Sequence, residues 1–215
     1  MTLLNFFDVD KKHSLIVAGL TGGIATGKST VSAILSEAGA IILDADQSAH
    51  DVTKKGLPAW HKIVRRFGRK ILLPDGEIDR DYLGDIIFKD PDKKQVLNSI
   101  VHPLVFQDMS LKFQQVERNI TDAVIILDIP LLIESKMHKD MSDVILVYTP
   151  EHVQIKRLMR RDNLSEGDAL ARINSQMPIE GKKAEATLLI DNSSKREKTR
   201  ARTLKIYDFL KHKID

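Results

Sequence analysis

Residues 15–30, with the sequence LIVAGLTGGIATGKST, decide the fold class of this chain. The first six form a short apolar run, which predicts a buried strand, and residues 22–29 match the pattern G-x-x-x-x-G-K-[ST]. Glycines in that pattern let the backbone wrap closely around phosphate, while the lysine contacts phosphate oxygens and the serine binds magnesium. Helical periodicity begins at Lys28 and ends before Gly39. A strand, a glycine-rich loop and a helix in this order predict a phosphate-binding loop for a nucleoside triphosphate.

Four further apolar runs predict the other strands of the core: 40–43, 124–127, 144–148 and 187–190. These runs are continuously apolar rather than alternating, which is typical of strands covered by helices on both faces of a parallel sheet. Helical segments separate them along the chain. We therefore predict an α/β fold with a parallel sheet between helices.

The region from 46 to 118 breaks this rhythm, because it contains no convincing buried strand. Four helical segments are predicted there, separated by turn signals that contain glycine or proline: 59–67, 80–88, 92–100 and 104–116. The region is too long for a simple crossover, so we predict a helical lobe inserted into the core. The predicted parts are a leader at 1–14, a nucleotide-binding core at 15–46 and 119–215 with a lid at about 157–176, and an acceptor-binding lobe at 47–118.

Three acidic residues follow predicted strands. Asp44 and Asp46 end the second strand, and residues two apart in an extended chain point to the same side, so both could face the crevice where ligands bind. One carboxylate could hold magnesium through water and the other could accept the proton of an attacking hydroxyl; either could instead cap the next helix. Asp128 ends an apolar strand in the Walker B pattern, whose aspartate assists magnesium binding. Glu134 fits either a functional or a solvent-facing role.

Three arginines predict a basic helix face. Arg157, Arg160 and Arg161 are spaced i, i+3 and i+4, and the helix is then interrupted before Ser165, a candidate N-cap for the next helix. Two helices with a break and basic residues between them describe a lid that clamps a triphosphate, whose transfer depends on charge neutralisation. A solvated basic face is the alternative interpretation.

The composition of the chain restricts the classes of partner that it can bind. The 215 residues include 33 Lys and Arg against 30 Asp and Glu, and a net charge of +3 is too small to argue for nucleic acid. The absence of cysteine excludes disulfides, thiolate metal sites and cysteine nucleophiles. The apolar stretch near the N-terminus lacks the preceding basic residues of a signal peptide, and no run approaches the ~18 residues of a membrane span. We expect a cytoplasmic protein without a membrane or nucleic-acid partner.

These segments together resemble the dephospho-coenzyme A kinase family. The matching residues run in order along nearly the whole chain: Leu20 to Ile24, Gly27 to Thr30, Asp44-Ala45-Asp46, His102-Pro103, Pro130-Leu131-Leu132 with Glu134, Arg157, Arg161-Asp162, Ser175-Gln176 with Lys183, and Ile190-Asp191-Asn192. The phosphate-binding loop alone marks a superfamily, whereas the ordered set is much more specific. One departure is Ala25, which stands where the family usually has glycine; alanine is tolerable there if its φ stays negative.

The resemblance implies a P-loop kinase core with a five-stranded parallel sheet flanked by helices, a helical acceptor-binding insertion and a lid. It implies that ATP, with Mg²⁺, phosphorylates the ribose 3′-hydroxyl of dephospho-coenzyme A. Asp46 matches the family's catalytic base, Lys28 and Arg161 match phosphate-binding positions, and Asn192 falls near the expected nucleotide base. The expected ATP-binding residues are Gly22, Gly23, Ile24, Ala25, Thr26, Gly27, Lys28, Ser29, Thr30, Arg157 and Asn192, and the expected metal-binding residues are Ser29, Asp44 and Asp128.

Three other functions compete with this interpretation. A regulatory GTPase should carry Asn-Lys-x-Asp, and no Asn in the chain is followed by Lys; a D-x-x-G match at 81–84 lies in the helical lobe. A nucleic-acid-binding module is suggested by the basic stretch 195–205, but acidic and apolar residues interleave there and favour an amphipathic helix on the core. A nucleoside or nucleotide kinase of similar layout is the remaining alternative.

Overall fold

The computed structural model of the chain describes residues 14–214, so the predicted leader lies outside the described residues except for Ser14. Two compact units divide the described range. One contains residues 14–43 and 114–214, and the other contains residues 44–113.

The first unit is built on a five-stranded sheet with the strand order β2-β3-β1-β4-β5. Its strands are β1 (Ser14–Gly22), β2 (Ile41–Asp44), β3 (Asp122–Asp128), β4 (Asp143–Tyr148) and β5 (Leu188–Asp191). β1 pairs in parallel with β3 and β4, and β4 pairs in parallel with β5. The predicted five-stranded parallel sheet of an α/β fold is confirmed, and each strand lies within about two residues of its apolar run.

Burial explains why these runs form strands between helices. Five of the seven residues of β3 and five of the six residues of β4 are buried, as continuous apolar patterning requires when helices cover both faces. The helices of this unit are α1 (Lys28–Glu37), α6 (Glu151–Asp162), α7 (Glu166–Asn174), α8 (Ile179–Glu185) and α9 (Arg196–Lys211). α9 packs Leu210, Ile206 and Tyr207 against the main core cluster. The basic stretch 195–205 is therefore largely part of an amphipathic helix on the core, as predicted.

The second unit is helical. It contains α2 (Ala45–Val52), α3 (Pro58–Phe67), α4 (Arg80–Phe88) and most of α5 (Pro91–Asn119), and its strand-like feature within residues 44–113 is a single bridge between Leu72 and Ile78. Its own core contains Ala59, Ile63, Ile71, Ile78 and Leu83. The prediction of a helical region without a sheet strand is confirmed, and its role in binding the acceptor stays a prediction.

The prediction of two helices at 92–100 and 104–116 is wrong, because α5 continues through Pro103 as one helix. A proline inside a helix removes one backbone donor and costs about 3 kcal/mol or more. Apolar residues on both sides of Pro103 nevertheless pack into the same core, among them Ile100, Val101 and Leu104. Their burial outweighs the local penalty, so tertiary packing overrides the turn signal.

Candidate nucleotide-binding site

The loop between β1 and α1 has the geometry of a phosphate cradle. Gly27 is the N-cap of α1 with φ 88°, a conformation that favours glycine. A Cβ on Gly27 would lie 2.1 Å from the side-chain nitrogen of Asn192, so a larger residue does not fit there. Gly22 is similarly enclosed, since an added Cβ would lie 2.6 Å from the Thr26 hydroxyl. The glycines of the pattern are thus required by close approach and backbone conformation.

Ala25 corrects one expectation about this loop. Its φ is +59°, so the condition of a negative φ is wrong. The left-handed region costs a non-glycine residue roughly 1–2 kcal/mol. Ala25 and Ile24 pack against a small cluster that contains Leu158 from α6 and Ala169 from α7. This contact of the Ala25 methyl group offsets part of the conformational cost.

Lys28 and Asp128 come together at the mouth of the loop. Lys28 is the first residue of α1 and Asp128 is the last residue of β3, and the Lys28 ammonium donates a short hydrogen bond to the Asp128 carboxylate. The side chain of Asp128 is 2% exposed and that of Lys28 is 18% exposed. The structure therefore brings Lys28 of the predicted phosphate site and Asp128 of the predicted metal site into direct contact. Ser29, the next residue of α1, is exposed.

A buried polar network anchors the second half of the loop. The Asn192 side-chain amide donates to the Thr26 carbonyl oxygen at 2.7 Å, and its oxygen accepts from the Thr199 hydroxyl at 2.7 Å. Arg157 donates to the Asn192 carbonyl at 2.8 Å and reaches the Thr26 carbonyl at 3.5 Å. Asn192 and Arg157 were predicted to bind ATP. Their hydrogen bonds show that both support the loop backbone, and a direct contact with the nucleotide stays a prediction.

A second network anchors the first half of the loop. Lys182 in α8 has no exposed side-chain surface; its ammonium lies 2.7 Å from a Glu134 carboxylate oxygen and 3.4 Å from the Gly22 carbonyl oxygen. Glu134 also accepts from the Met177 backbone N–H at 3.3 Å. Glu134 therefore does not have the purely solvent-facing role that the sequence left open. Lys183, which contributed to the family resemblance, is exposed over the Tyr148 ring.

The two arginines one turn apart on α6 have different surroundings. Arg157 faces the loop, whereas the side chain of Arg161 is 62% exposed and donates to both carboxylate oxygens of Asp162, at 2.7 and 3.0 Å. This bond lowers the pKa of Asp162 and raises the pKa of Arg161. α6 ends at Asp162, its C-cap Asn163 has φ 52°, and Ser165 caps α7 by accepting from the Asp168 N–H. The predicted helix break and cap are confirmed, and a lid function stays a prediction.

Asp44 and Asp46 do not continue one extended strand. α2 begins at Ala45, and the Asp44 side chain accepts from the Gln47 N–H at 3.0 Å as its N-cap. Asp46 lies in the first turn of α2 and is exposed. The strand-alternation argument that aimed both carboxylates to one side is therefore wrong. Helix capping by Asp44, one of the alternatives, is what the structure shows, and the roles of both residues in metal binding and catalysis stay predictions.

Sequence reasoning missed Lys182, Thr199 and Gln154. Gln154 is buried, and a Cβ on Gly23 would lie 2.9 Å from its side-chain oxygen. A lysine and a threonine on largely polar helices carry no local signal of burial. The one usable hint was position: Lys182 lies three residues after Ile179 in a short helix, so the two can share a face.

The polar groups at the loop suit a magnesium ion held jointly with phosphate. Within residues 14–214, no group of three or more His, Asp or Glu is arranged to hold a metal. Mg²⁺ is commonly bound through one or two protein oxygens together with substrate phosphates, so the Ser29 hydroxyl and the Asp128 carboxylate fit it. In the same part of the chain, no helix is long and apolar enough to cross a bilayer.

Comparisons with known proteins agree with this geometry. The family model described as Dephospho-CoA kinase matches residues 16–198. The Dephospho-CoA kinase of Carboxydothermus hydrogenoformans is 48% identical over 192 residues, which cover 89% of this chain and 93% of that protein. That of Arabidopsis thaliana is 44% identical over 179 residues, covering 82% of this chain and 76% of that protein.

Two solved structures share the fold of this chain. A crystal structure from Thermus thermophilus has a TM-score of 0.74 at 31% identity and covers 89% of this chain and 95% of its own. The Dephospho-CoA kinase from Campylobacter jejuni has a TM-score of 0.63 at 28% identity, covering 93% of this chain and 99% of its own. With this family match over most of its length, and with a phosphate cradle at the end of β1, the chain belongs to the dephospho-CoA kinase family.

Proposed function

We propose that this chain transfers the γ-phosphoryl group of ATP to the 3′-hydroxyl of dephospho-CoA, which gives CoA and ADP in the last step of CoA biosynthesis. The observation that carries the proposal is the contact between Lys28 and Asp128 beside a glycine-rich loop that α1 continues. Family membership supplies the acceptor. The predicted cytoplasmic location belongs to the same proposal.

The loop binds the triphosphate through its backbone and Lys28. Successive N–H groups of residues 22–29 and the N-terminus of α1 present positive potential to phosphate oxygens. The Lys28 ammonium is paired with Asp128 in the structure. A triphosphate carries more negative charge than one carboxylate, so the ammonium gains interaction energy when it contacts the β- and γ-phosphates.

Magnesium completes the binding of ATP in this proposal. Ser29 and Asp128 would hold it, and when bound it neutralises charge on the phosphates. Asp44 is a further candidate, although its side chain caps α2 in this structure. Either aspartate would act through one oxygen or through water.

Three further assignments follow from the family. Asp46 accepts the proton of the attacking 3′-hydroxyl, Arg161 on the lid residues 157–176 stabilises the transferring phosphoryl group, and the lobe 47–118 binds dephospho-CoA. The exposure of Asp46 and Arg161 supports these roles because a group that meets substrate must be accessible. The Arg161 guanidinium would exchange its partner Asp162 for phosphate.

The test is an acceptor panel with purified protein, ATP and Mg²⁺, followed by ADP release. We expect dephospho-CoA to give a far higher kcat/KM than AMP, adenosine or shikimate. The highest kcat/KM with AMP or another nucleoside monophosphate would identify the chain as a nucleotide kinase instead.

Lys28→Ala tests the ATP site in the same assay, with Lys205→Ala on the exposed face of α9 as the matched control. Loss of a single group that stabilises transition-state charge lowers kcat roughly 10²–10³-fold. Circular dichroism checks that both variants fold. Normal turnover by folded Lys28→Ala would contradict the assignment of the loop.

A further inference from the structure

Lys182 is a charged residue in a place where charge is expensive. Its side chain is fully buried in α8, and its contacts are the Glu134 carboxylate and the Gly22 carbonyl. Replacing a buried ion pair by apolar side chains of similar size is often neutral or stabilising. Stability alone therefore does not account for a lysine here, and the Gly22 contact points to the loop.

The Gly22 carbonyl is part of the peptide that opens the phosphate cradle. In a planar trans peptide, the carbonyl and the following N–H point in opposite directions. A group that holds the Gly22 oxygen therefore fixes the direction of the Gly23 N–H, which points away from that group. The Lys182 ammonium lies at 3.4 Å from that oxygen.

The next carbonyls of the loop have anchors of the same kind. The Gly23 oxygen accepts from both the N–H and the hydroxyl of Thr26, at 3.2 and 2.9 Å. The Thr26 oxygen accepts from Asn192 at 2.7 Å. Lys182 is thus the first of three side chains, followed by Thr26 and Asn192, that hold carbonyl oxygens of the loop, and its ammonium is charged.

Glu134 fixes the position of Lys182. Its Oε1 accepts from the ammonium at 2.7 Å and from the Met177 N–H at 3.3 Å, so one carboxylate holds both Lys182 and a residue two positions before α8. Ile179, one turn earlier in α8, lies against Gly23, where an added Cβ would be 3.4 Å from its Cδ1. α8 therefore contacts the loop at two successive residues.

We propose that Lys182, held by Glu134, is a positioning residue that orients the Gly22–Gly23 peptide for phosphate binding. The inference rests on the proposed function, because it assigns a role at the ATP site. It concerns ATP affinity and not the acceptor. An ATP titration can therefore test it even if dephospho-CoA proves not to be the acceptor.

The experiment measures the Kd of ATP with Mg²⁺ by calorimetry and kcat/KM for ATP. Lys182→Met removes the charge at similar length, and Lys183→Met is the matched control on the exposed face of the same helix. The double variant Lys182→Met with Glu134→Leu removes both partners, so no buried charge is left unpaired. We expect the single and double variants to bind ATP about tenfold more weakly than Lys183→Met, with KM for dephospho-CoA changed less than about twofold.

The double variant separates positioning from stability. If Lys182 only stabilises the fold, the double variant regains both the melting temperature and the ATP affinity of the wild type, and that result overturns the proposal. Equal ATP affinity in Lys182→Met and Lys183→Met also overturns it. If the lysine variants do not fold, Glu134→Gln must weaken ATP binding in the same direction, and wild-type affinity there overturns the proposal.

Discussion

Asn192 offers the sharpest test of how the loop is built. The family resemblance implies a place for it near the nucleotide base; its side chain bridges Thr26 and Thr199 inside the protein, and the residue is only 9% exposed. If the bridge is its main role, Asn192→Ala destabilises the nucleotide-free protein. If base contact is its main role, the variant weakens ATP binding and leaves stability unchanged.

The magnitude follows from the two hydrogen bonds of 2.7 Å. Each contributes about 1 kcal/mol net, and a buried partner left unsatisfied costs about 1–3 kcal/mol. The Thr26 oxygen keeps weaker hydrogen bonds from Thr149 and Arg157, at 3.3 and 3.5 Å, so the free energy of folding lost at this oxygen is small. The buried Thr199 hydroxyl loses its acceptor. We expect about 3 kcal/mol in total, or a fall of roughly 6–12 °C in Tm for a chain of this size.

Thermal unfolding of the nucleotide-free protein, followed by circular dichroism, measures this change. Asn174→Ala is the matched control, because Asn174 is exposed at the end of α7. Thr199→Val keeps the shape of the side chain but removes the donor, so it should lower Tm by a smaller amount in the same direction. A Tm for Asn192→Ala within about 2 °C of the wild type, with a raised KM for ATP, would refute the reasoning.

Two further predictions concern exposed residues. Asp46→Asn should lower kcat about 10²–10⁴-fold with little change in the Kd of ATP, because the amide cannot take up the proton. Asp51→Asn on the same helix is the control. A loss confined to ATP affinity would reassign Asp46 to metal or nucleotide binding. Arg161→Ala should reduce turnover far more than its exposed neighbour Arg160→Ala, and hydrogen exchange at residues 162–165 should slow when ATP binds. Equal turnover in the two arginine variants, with equal exchange in both states, would leave only a solvated basic face.

The parallel sheet and the loop could be predicted because their signals are local. Five continuous apolar runs give five strands, and residues 22–29 contain their own glycines, lysine and serine. The position of Asp128 at a strand end could also be predicted, because it follows an apolar run. Two local signals gave the wrong result: Pro103 did not end α5, and residues 44–46 did not stay extended. Burial of the apolar residues that flank Pro103 keeps α5 continuous, and N-capping by Asp44 starts α2 at the next residue.

The groups that orient the loop could not be predicted, because they lie far away in the sequence. Asp128 contacts Lys28 across 100 residues, Lys182 contacts Gly22 across 160, and Asn192 contacts Thr26 across 166. A flexible glycine-rich loop has many backbone states, and binding phosphate requires one of them. Distant side chains that hold the Gly22 and Thr26 carbonyls and the Lys28 side chain remove other states in the folded protein, so part of the ordering entropy is lost on folding rather than on binding. ATP affinity should therefore depend on residues at 128, 182 and 192 as much as on the pattern at 22–29 that reveals the site.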